Sequence, residues 1–181
     1  LGQMQIELIQ SVPALLLDSP LRLSGVASMC ALLNGALPER EAQPGLFEGS
    51  AALLDVIVLD DDNAGWIEGY VRWELGLLAA VGYRLDLARC VASGLTNDLA
   101  FVSPKSGGAV ARYQAGSFAS RMLALPMFLG GVSCGKHEWI AGLDLTELGS
   151  ARELMRTVVM TWARTPRRDT GGDVHARRRC G

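Results

Sequence analysis

The chain has 181 residues, of which 49% are hydrophobic and 20% are charged, and its formal net charge is -2. These values exclude a disordered chain, and the length suffices for a core that needs no metal or disulfide. No apolar run reaches the roughly 18 residues that span a bilayer, and the start lacks the pattern of a secretory signal. We therefore expect a globular cytoplasmic protein, and the first residue, Leu1, indicates a fragment of a longer one.

Charge is distributed unevenly along the chain. Residues 1–150 contain 9 Lys and Arg against 16 Asp and Glu, a balance of -7, whereas residues 151–181 contain 8 Arg against 3 acidic residues, a balance of +5. An acidic body does not by itself indicate nucleic-acid binding. Any DNA contact in residues 1–150 must therefore come from a local basic patch.

The first elements are a strand and two helices. Alternating apolar and polar residues from Met4 to Ile9 predict a short strand. An apolar, alanine-rich run then predicts a helix over Leu21 to Leu37, with Ser24 as its N-cap and a proline directly after its end. Pro44 stands at the favourable first position of the next helix, which runs to an acidic turn that begins at Asp60.

The clearest predicted element is a third helix from Trp66 to Val81. Its apolar residues recur at helical spacing, and Gly82 just past its end is typical of a C′ position. Glu68 and Arg72 are four residues apart on another face, where they are expected to pair.

The second half changes in character and predicts a small β-hairpin subdomain inserted in a mainly α fold, a bundle of about five helices. Short β-type runs at Leu99 to Val102 and Ala109 to Arg112 flank a segment rich in turn-forming residues. Two further helical stretches and a disordered, Arg-rich tail complete the prediction: Glu138 to Leu148, Ala151 to Trp162, and the residues from Thr165 onward.

Three segments, in this order and spacing, resemble the RecO family of bacterial recombination mediators over about residues 1 to 146. Tyr70 to Cys90 contains the helix pattern R-[FW]-E-x-x-L-L, then G-[YF]-x-L-D-L and a cysteine. Asp98 to Val110 looks like the family's Ser-Pro-x-x-Gly hairpin. The weaker segment Leu37 to Phe47 is similar to the connection L-P-E-x-E-x-x-P-x-L-[FY] between the preceding helices.

The resemblance implies a nucleoid-associated DNA-repair protein that acts without catalysis. Members bind single- and double-stranded DNA, anneal complementary strands, work with RecR, and help RecA displace single-strand-binding protein, whose tail they contact. The resemblance also implies an upstream OB-fold, of which residues 1–20 keep the last strand. A helical domain over residues 21–163, with its hairpin at about 98–113, and a tail over 164–181 would follow. Because an OB-fold supplies a groove and a stacking platform for bases, much of the DNA affinity is expected outside this chain.

Many members of the family carry two C-x-x-C pairs that flank the hairpin and bind zinc. In this chain Cys90 keeps one of the four positions, whereas Ser93, Ala111 and Gln114 stand at the others. One thiolate cannot complete a four-ligand site, so we predict no structural zinc and no other cofactor. The remaining cysteines are far apart and are expected to be free thiols: Cys30, Cys134 and Cys180.

Contacts between this chain and DNA are expected to join Arg or Lys to phosphate, which makes them salt-sensitive and poor in sequence information. Each such side chain also fits a solvated surface. Tyr70 and Trp73 fit the core better than base stacking, and Arg72 fits a structural pair with Glu68 or Glu74. The candidates for DNA contact lie in and around the hairpin: Arg84, Arg89, Lys105, Arg112 and Arg121.

Two alternatives stay open. The acidic balance of residues 1–150 favours a protein-interaction module that docks RecR or single-strand-binding protein without touching DNA. An uncharacterised helical enzyme would need a pocket with convergent titratable groups, and no such constellation is apparent. His137 has no nucleophile or paired ligand nearby and fits the surface, and Ser103 fits a turn before Pro104 better than a nucleophile.

Overall fold

The structure, a computed structural model, describes residue 7 and residues 11–60, 65–131 and 138–146. Its helices are α1 (Val12–Leu15), α2 (Pro20–Ala36), α3 (Pro44–Leu59), α4 (Trp66–Ala80), α5 (Arg112–Ala115) and α6 (Glu138–Thr146). Its strands are β1 (Asp86–Cys90), β2 (Leu99–Val102), β3 (Gly108–Ala111) and β4 (Leu123–Ala124), with 3₁₀ helices at Gly116–Arg121 and Met127–Leu129. The predicted mainly α fold with a small inserted β subdomain is confirmed.

Three predicted elements lie outside the described residues, apart from Glu7 in the first of them: the strand at Met4 to Ile9, the helix at Ala151 to Trp162, and the tail from Thr165 onward. Within residues 1–20, the described part contains the short helix α1 and the start of α2. The division into residues 1–20, 21–163 and 164–181 stays a prediction.

Prolines set the starts of α2 and α3. Pro20 and Pro44 stand in the first turn of their helices, where the missing N–H removes no helical hydrogen bond. The prediction that Ser24 caps the helix is wrong, because the helix already begins at Pro20. Ser24 lies inside the helix instead, and its hydroxyl donates a hydrogen bond to the Leu21 carbonyl at 2.7 Å.

Arg22 ties α2 to the end of α3. Its guanidinium donates hydrogen bonds to the carbonyl oxygens of Val58 at 3.4 Å and Asp60 at 2.8 Å. Carbonyls in the last turn of a helix lack helical partners, and the negative end of the helix dipole favours a cation there. Arg22 therefore has a structural role, which removes it from the set of free surface cations.

The end of α4 forms a Schellman motif in which Gly82 stands at C′, the position predicted for it. Gly82 has a φ of 96°, its N–H donates to the Ala79 carbonyl at 3.2 Å, and the N–H of Tyr83 donates to the Leu78 carbonyl at 2.7 Å. These are the two hydrogen bonds that define the motif. A residue with a side chain is strained at this φ, so the glycine is required by the turn.

We expect Gly82→Ala to lower the free energy of unfolding by about 1 kcal/mol, because alanine disfavours positive φ. Gly76→Ala is the matched control, since Gly76 lies inside α4 and an added Cβ meets nothing within 4 Å. That substitution should raise the free energy of unfolding by up to about 1 kcal/mol through helix propensity. Urea unfolding of both variants measures the difference, and changes of the same sign would contradict the role given to Gly82.

The sheet has four strands in the order β1-β3-β2-β4. The predicted hairpin is confirmed as the antiparallel pair of β2 and β3, which places Phe101 opposite Val110. The predicted end of its second strand is one residue too long, because Arg112 begins α5. Neither β1 nor β4 was predicted, since β1 buries Cys90 alone among its residues and β4 has 2 residues, so neither shows a pattern of alternation.

The described residues form two apolar cores, one among the helices and one behind the sheet. Helix α6 reaches both, because Leu143 packs in the helical core and Leu145 packs in the sheet core. Gly142 permits the close approach of α6 to α4: an added Cβ would lie 2.8 Å from the Phe128 ring and 3.2 Å from the Val71 methyl groups. Helix α6 therefore joins the sheet subdomain to the helices.

Candidate nucleic-acid interface

The sheet subdomain, residues 84–125, carries a positive balance of charge, whereas the segment before it, residues 11–83, carries a negative one. It contains 5 Lys and Arg against 2 Asp and Glu, a balance of +3, whereas residues 11–83 contain 3 basic and 10 acidic residues, a balance of -7. The five predicted DNA contacts all lie in this subdomain, and all are exposed: Arg84, Arg89, Lys105, Arg112 and Arg121.

The topology places two of these cations at one end of the sheet. Lys105 lies in the turn that joins β2 to β3. The backbone N–H of Asp86 donates a hydrogen bond to the carbonyl of Gly107 in the same turn, at 3.1 Å. The start of β1 is therefore at the turn end of the hairpin, and Arg84 lies two residues before it.

A third cation reaches the same end from the opposite edge. Leu123, the first residue of β4, pairs with Val102, the last residue of β2, so Arg121 precedes β4 at the turn end. In the strand order β1-β3-β2-β4 the first and last strands are the two edges. Strands are spaced about 4.8 Å apart, so the cations are spread over roughly 15 Å. We call this set the basic row: Arg84, Lys105 and Arg121.

The other two candidates lie away from the basic row. Arg89 is near the end of β1, and Arg112 follows the end of the neighbouring parallel strand β3. The Nε atom of Arg112 is 3.5 Å from Oδ1 of Asp98, and both side chains are exposed. Such a pair contributes little to stability in water, but the carboxylate offsets the charge that Arg112 would present to a phosphate.

Phe118 is a further candidate that the sequence did not bring out. Its side chain is 58% exposed, and it lies three residues before Arg121 in the 3₁₀ helix Gly116–Arg121. Residues three apart on a 3₁₀ helix lie on the same face, so the exposed ring is beside one cation of the basic row. In the sequence, the feature that could have indicated this candidate is the spacing of Phe118, three residues before Arg121.

The structural interpretation of Tyr70 and Trp73 is supported by their burial. They are 5% and 6% exposed, and the Tyr70 hydroxyl donates to the Ser28 hydroxyl at 2.8 Å. Burial, followed by the negative charge of Glu74, raises the pKa of Tyr70. Both rings therefore belong to the helical core and are not accessible for stacking on bases.

Arg72 also has the structural surroundings expected of it. Its Nη1 atom is 3.7 Å from Oε2 of Glu68, its Nη2 donates to the Phe128 carbonyl at 2.7 Å, and its guanidinium lies 5.3 Å from the centre of the Phe128 ring. Three contacts of different kinds hold this side chain between α4 and the segment before α6. Glu74, the other predicted partner, is fully buried and accepts a hydrogen bond from the Thr146 hydroxyl at 2.8 Å.

The residues around Cys90 do not fit a zinc ion. Structural zinc takes four sulfur or nitrogen ligands, and the hydroxyl of Ser93, the methyl of Ala111 and the amide of Gln114 supply none of them. Burial raises the pKa of the Cys90 thiol, but hydrogen bonds from the Ser93 hydroxyl and from backbone amides outweigh it and bring the pKa to about 7. In the part of the chain that the structure describes, no group of three or more His, Cys, Asp or Glu residues could hold a metal; His137 lies outside that part.

Comparison with known proteins identifies the family. The family model named recombination protein O C terminal matches residues 17–149. Proteins named DNA repair protein RecO are similar to this chain: 42% identical over 146 residues in a Jannaschia species and 45% identical over 149 residues in Rhodospirillum centenum, each alignment covering 81% of this chain and 58% of the relative. The protein of that name from Phenylobacterium zucineum is 44% identical over 150 residues, which cover 81% of this chain and 60% of the relative.

The chain therefore belongs to the RecO C-terminal family. It spans less than two thirds of the length of these relatives, 58–60%. No solved structure matches it. Within the described residues, every helix is too short or too polar to cross a bilayer.

Proposed function

We propose that this chain acts in DNA repair by homologous recombination, and that its sheet subdomain contacts DNA. The observation that carries the proposal is the basic row, three exposed cations at one end of the sheet, in a subdomain with a balance of +3 that follows an acidic segment with a balance of -7. Phosphate contacts by Arg and Lys supply most of the affinity of non-specific DNA binding. We propose the role of a mediator rather than of an enzyme, because the basic row presents positive charge for binding and no group that makes or breaks covalent bonds.

The proposed partners follow from membership of the family. They are single- and double-stranded DNA, RecR and single-strand-binding protein. RecA is an indirect partner, which the family helps to displace single-strand-binding protein from single-stranded DNA. The acidic helices, residues 11–83, are the proposed face for protein partners, since like charge keeps DNA away from them. The site of action proposed is the cytoplasm, at the nucleoid.

Fluorescence anisotropy of a labelled single-stranded oligonucleotide, titrated with the chain across a salt series, tests the proposal. The chain should carry glutamine in place of its last five arginines, which brings the balance of residues 151–181 from +5 to 0 and removes that charge as a trivial cause of binding: Arg167, Arg168, Arg177, Arg178 and Arg179. We expect affinity to fall steeply as salt rises, with a slope near -0.7 for each phosphate contact. An absence of binding at low salt would contradict DNA contact and favour the alternative, a module that docks RecR or single-strand-binding protein alone.

Phe118 is proposed to stack on a base beside the basic row. Stacking on an aromatic side chain contributes about 1–3 kcal/mol for each base in single strands, so Phe118→Ala should weaken single-strand binding by roughly 10-fold. Duplex binding should be unchanged, because paired bases do not offer their faces. Phe47→Ala is the matched control, since Phe47 is 76% exposed on the acidic helix α3; an equal loss in both variants would contradict stacking at Phe118.

A further inference from the structure

A groove of about 220 Å³ lies between α1 and α3. Its lining is mostly apolar and includes one carboxylate: Val12, Leu54, Asp55, Val58 and Leu59. Leu15 lies one turn after Val12 in α1, and its side chain is exposed. Phe47 lies two turns before Leu54 in α3, and its ring is exposed as well. The groove and these two side chains form one apolar surface, and exposed apolar surfaces of this kind bind partners.

The helices on both sides of the groove are acidic. Residues 11–20 and 44–60 contain 4 Asp and Glu and no Lys or Arg. Glu48 lies two turns before Asp55, so both exposed carboxylates are on the outward face of α3. Arg22 of α2 brings a cation to the end of α3, where it donates to main-chain carbonyls and offsets the helix dipole. The groove therefore fits a partner surface that is apolar and positively charged. We call it the acidic groove: Leu15, Phe47, Glu48, Leu54, Asp55 and Leu59.

A second exposed apolar surface lies at the end of the sheet away from the basic row. The turn after β1 contributes Val91 and Leu95, and α5 contributes Tyr113; all three are at least 50% exposed. Two hydrogen bonds hold these segments beside one another. The N–H of Cys90 donates to the Leu95 carbonyl at 2.7 Å, and the Tyr113 hydroxyl donates to the Ser93 hydroxyl at 3.0 Å. The turn after β1 and the start of α5 therefore present their side chains on one surface.

This second surface carries a positive balance of charge. Arg89 is the next-to-last residue of β1, and Arg112 is the first residue of α5. Both side chains are exposed. Asp98 pairs with Arg112, so the two arginines and one aspartate give a balance of +1. We call this surface the cationic face: Arg89, Val91, Leu95, Arg112 and Tyr113.

We propose that copies of this chain associate head to tail, with the cationic face of one copy seated in the acidic groove of the next. Both surfaces expose apolar side chains, so their contact removes apolar area from water, and their charges are of opposite sign. A pair of acidic grooves would instead bring carboxylates together, which disfavours an association of groove with groove. The cationic face of a second copy is therefore an occupant that the charges of this chain favour.

The fold keeps the two surfaces of one copy apart. Helix α3 packs on α4, and α6 packs on both α4 and β4, so α4 and α6 lie between the acidic groove and the sheet. A contact between two different surfaces is heterologous, and it extends from copy to copy unless the rotation closes a ring. The basic row belongs to neither surface and stays exposed in such an assembly, so the inference is independent of DNA binding.

Sedimentation velocity of the full chain over a series of concentrations tests for association. The chain carries the five arginine-to-glutamine substitutions described above, so that arginines outside the cationic face do not occupy the acidic groove. The weight-average sedimentation coefficient should rise with concentration. The rise should be smaller at high salt, because salt screens the charges at the rim of an interface. Sedimentation as a monomer throughout the series at low salt would overturn the proposal.

Charge reversal tests which surfaces meet. Arg89→Glu with Arg112→Glu reverses the cationic face. Glu48→Arg with Asp55→Arg reverses the acidic groove. Each double variant by itself should have a dissociation constant at least about 10-fold higher, because like charges then face one another. An equimolar mixture should associate again, since the first variant keeps its groove and the second keeps its face. Two folded variants that remain monomeric when mixed would overturn the proposal, as would association of either one by itself at the original strength.

Truncation of apolar side chains gives a test that leaves the charges unchanged. Leu59→Ala in the acidic groove and Tyr113→Ala in the cationic face should each raise the dissociation constant by roughly 10-fold, as truncation of an anchor in an interface does. Phe118→Ala is the matched control, since Phe118 is exposed outside both surfaces, and it should associate at the original strength. Equal dissociation constants in all three variants would place the contact elsewhere and overturn the proposal.

Discussion

Trp73→Ala is expected to lower the free energy of unfolding by about 3–5 kcal/mol, the usual cost of removing a buried tryptophan side chain. Trp73 is 6% exposed in the helical core. Its indole N–H donates to the Ser50 hydroxyl at 2.9 Å, and that hydroxyl donates to the Leu46 carbonyl at 2.7 Å. The substitution therefore opens a cavity between α3 and α4 and breaks the hydrogen bond that joins them.

Urea unfolding followed by far-ultraviolet circular dichroism measures this loss of stability. Two further variants separate the contribution of the indole hydrogen bond from that of the buried ring. Trp73→Phe keeps most of the ring and removes the indole N–H, which leaves the Ser50 hydroxyl without its donor. We expect a loss of about 1–3 kcal/mol for that change, including the smaller ring. Ser50→Ala should cost about 1–2 kcal/mol. A loss below about 1 kcal/mol for Trp73→Ala would show that α3 and α4 do not share the core described above.

Helices with strong local signals were predictable from the sequence. The third predicted helix ended close to its real end, because Gly82 marks a C′ position by its conformational freedom alone. The start of α2 was misplaced, since Ser24 and Pro20 are both good starting residues and local chemistry does not rank them. Tertiary contacts decide between them: Arg22 in the first turn reaches the carbonyls at the end of α3, a contact between residues far apart in the chain.

The sheet was only half predictable, and for a different reason. The hairpin of β2 and β3 is local, so its two strands and its turn appear together in the sequence. Strand β1 pairs in parallel with β3, which is a non-local contact, and its residues show no regular alternation. Its presence depends on the partner strand rather than on its own sequence.

The site shows the same division. The sequence supplied the five cations, since charge is visible without a fold. It could not separate them into two groups, because this separation depends on which strand ends meet. Phe118 was missed because exposure decides whether an aromatic residue is a candidate for stacking, and an isolated phenylalanine in a sequence is more often part of a core.

The largest effect on DNA binding is expected from the triple variant Arg84→Gln, Lys105→Gln and Arg121→Gln, which neutralises the basic row. For single strands each phosphate contact contributes about 0.7 to the salt slope, so three lost contacts reduce the slope by about 2. At 0.1 M salt this corresponds to a loss of affinity of roughly 100-fold. The substituted residues are exposed, so the melting temperature should stay close to that of the wild-type chain.

Two further variants serve as controls for this prediction. Arg89→Gln with Arg112→Gln neutralises the cations at the opposite end of the same subdomain, and Arg40→Gln neutralises an exposed cation on the acidic side of the chain. The double variant should lose at most about 25-fold, because two lost contacts reduce the slope by about 1.4 and Asp98 already offsets one of the two cations. Arg40→Gln should bind as the wild-type chain does.

If the double variant lost as much affinity as the triple variant, phosphate contact would be spread over the whole subdomain, and the basic row would not be the site. If all three variants bound equally well, the DNA would lie on neither end of the sheet.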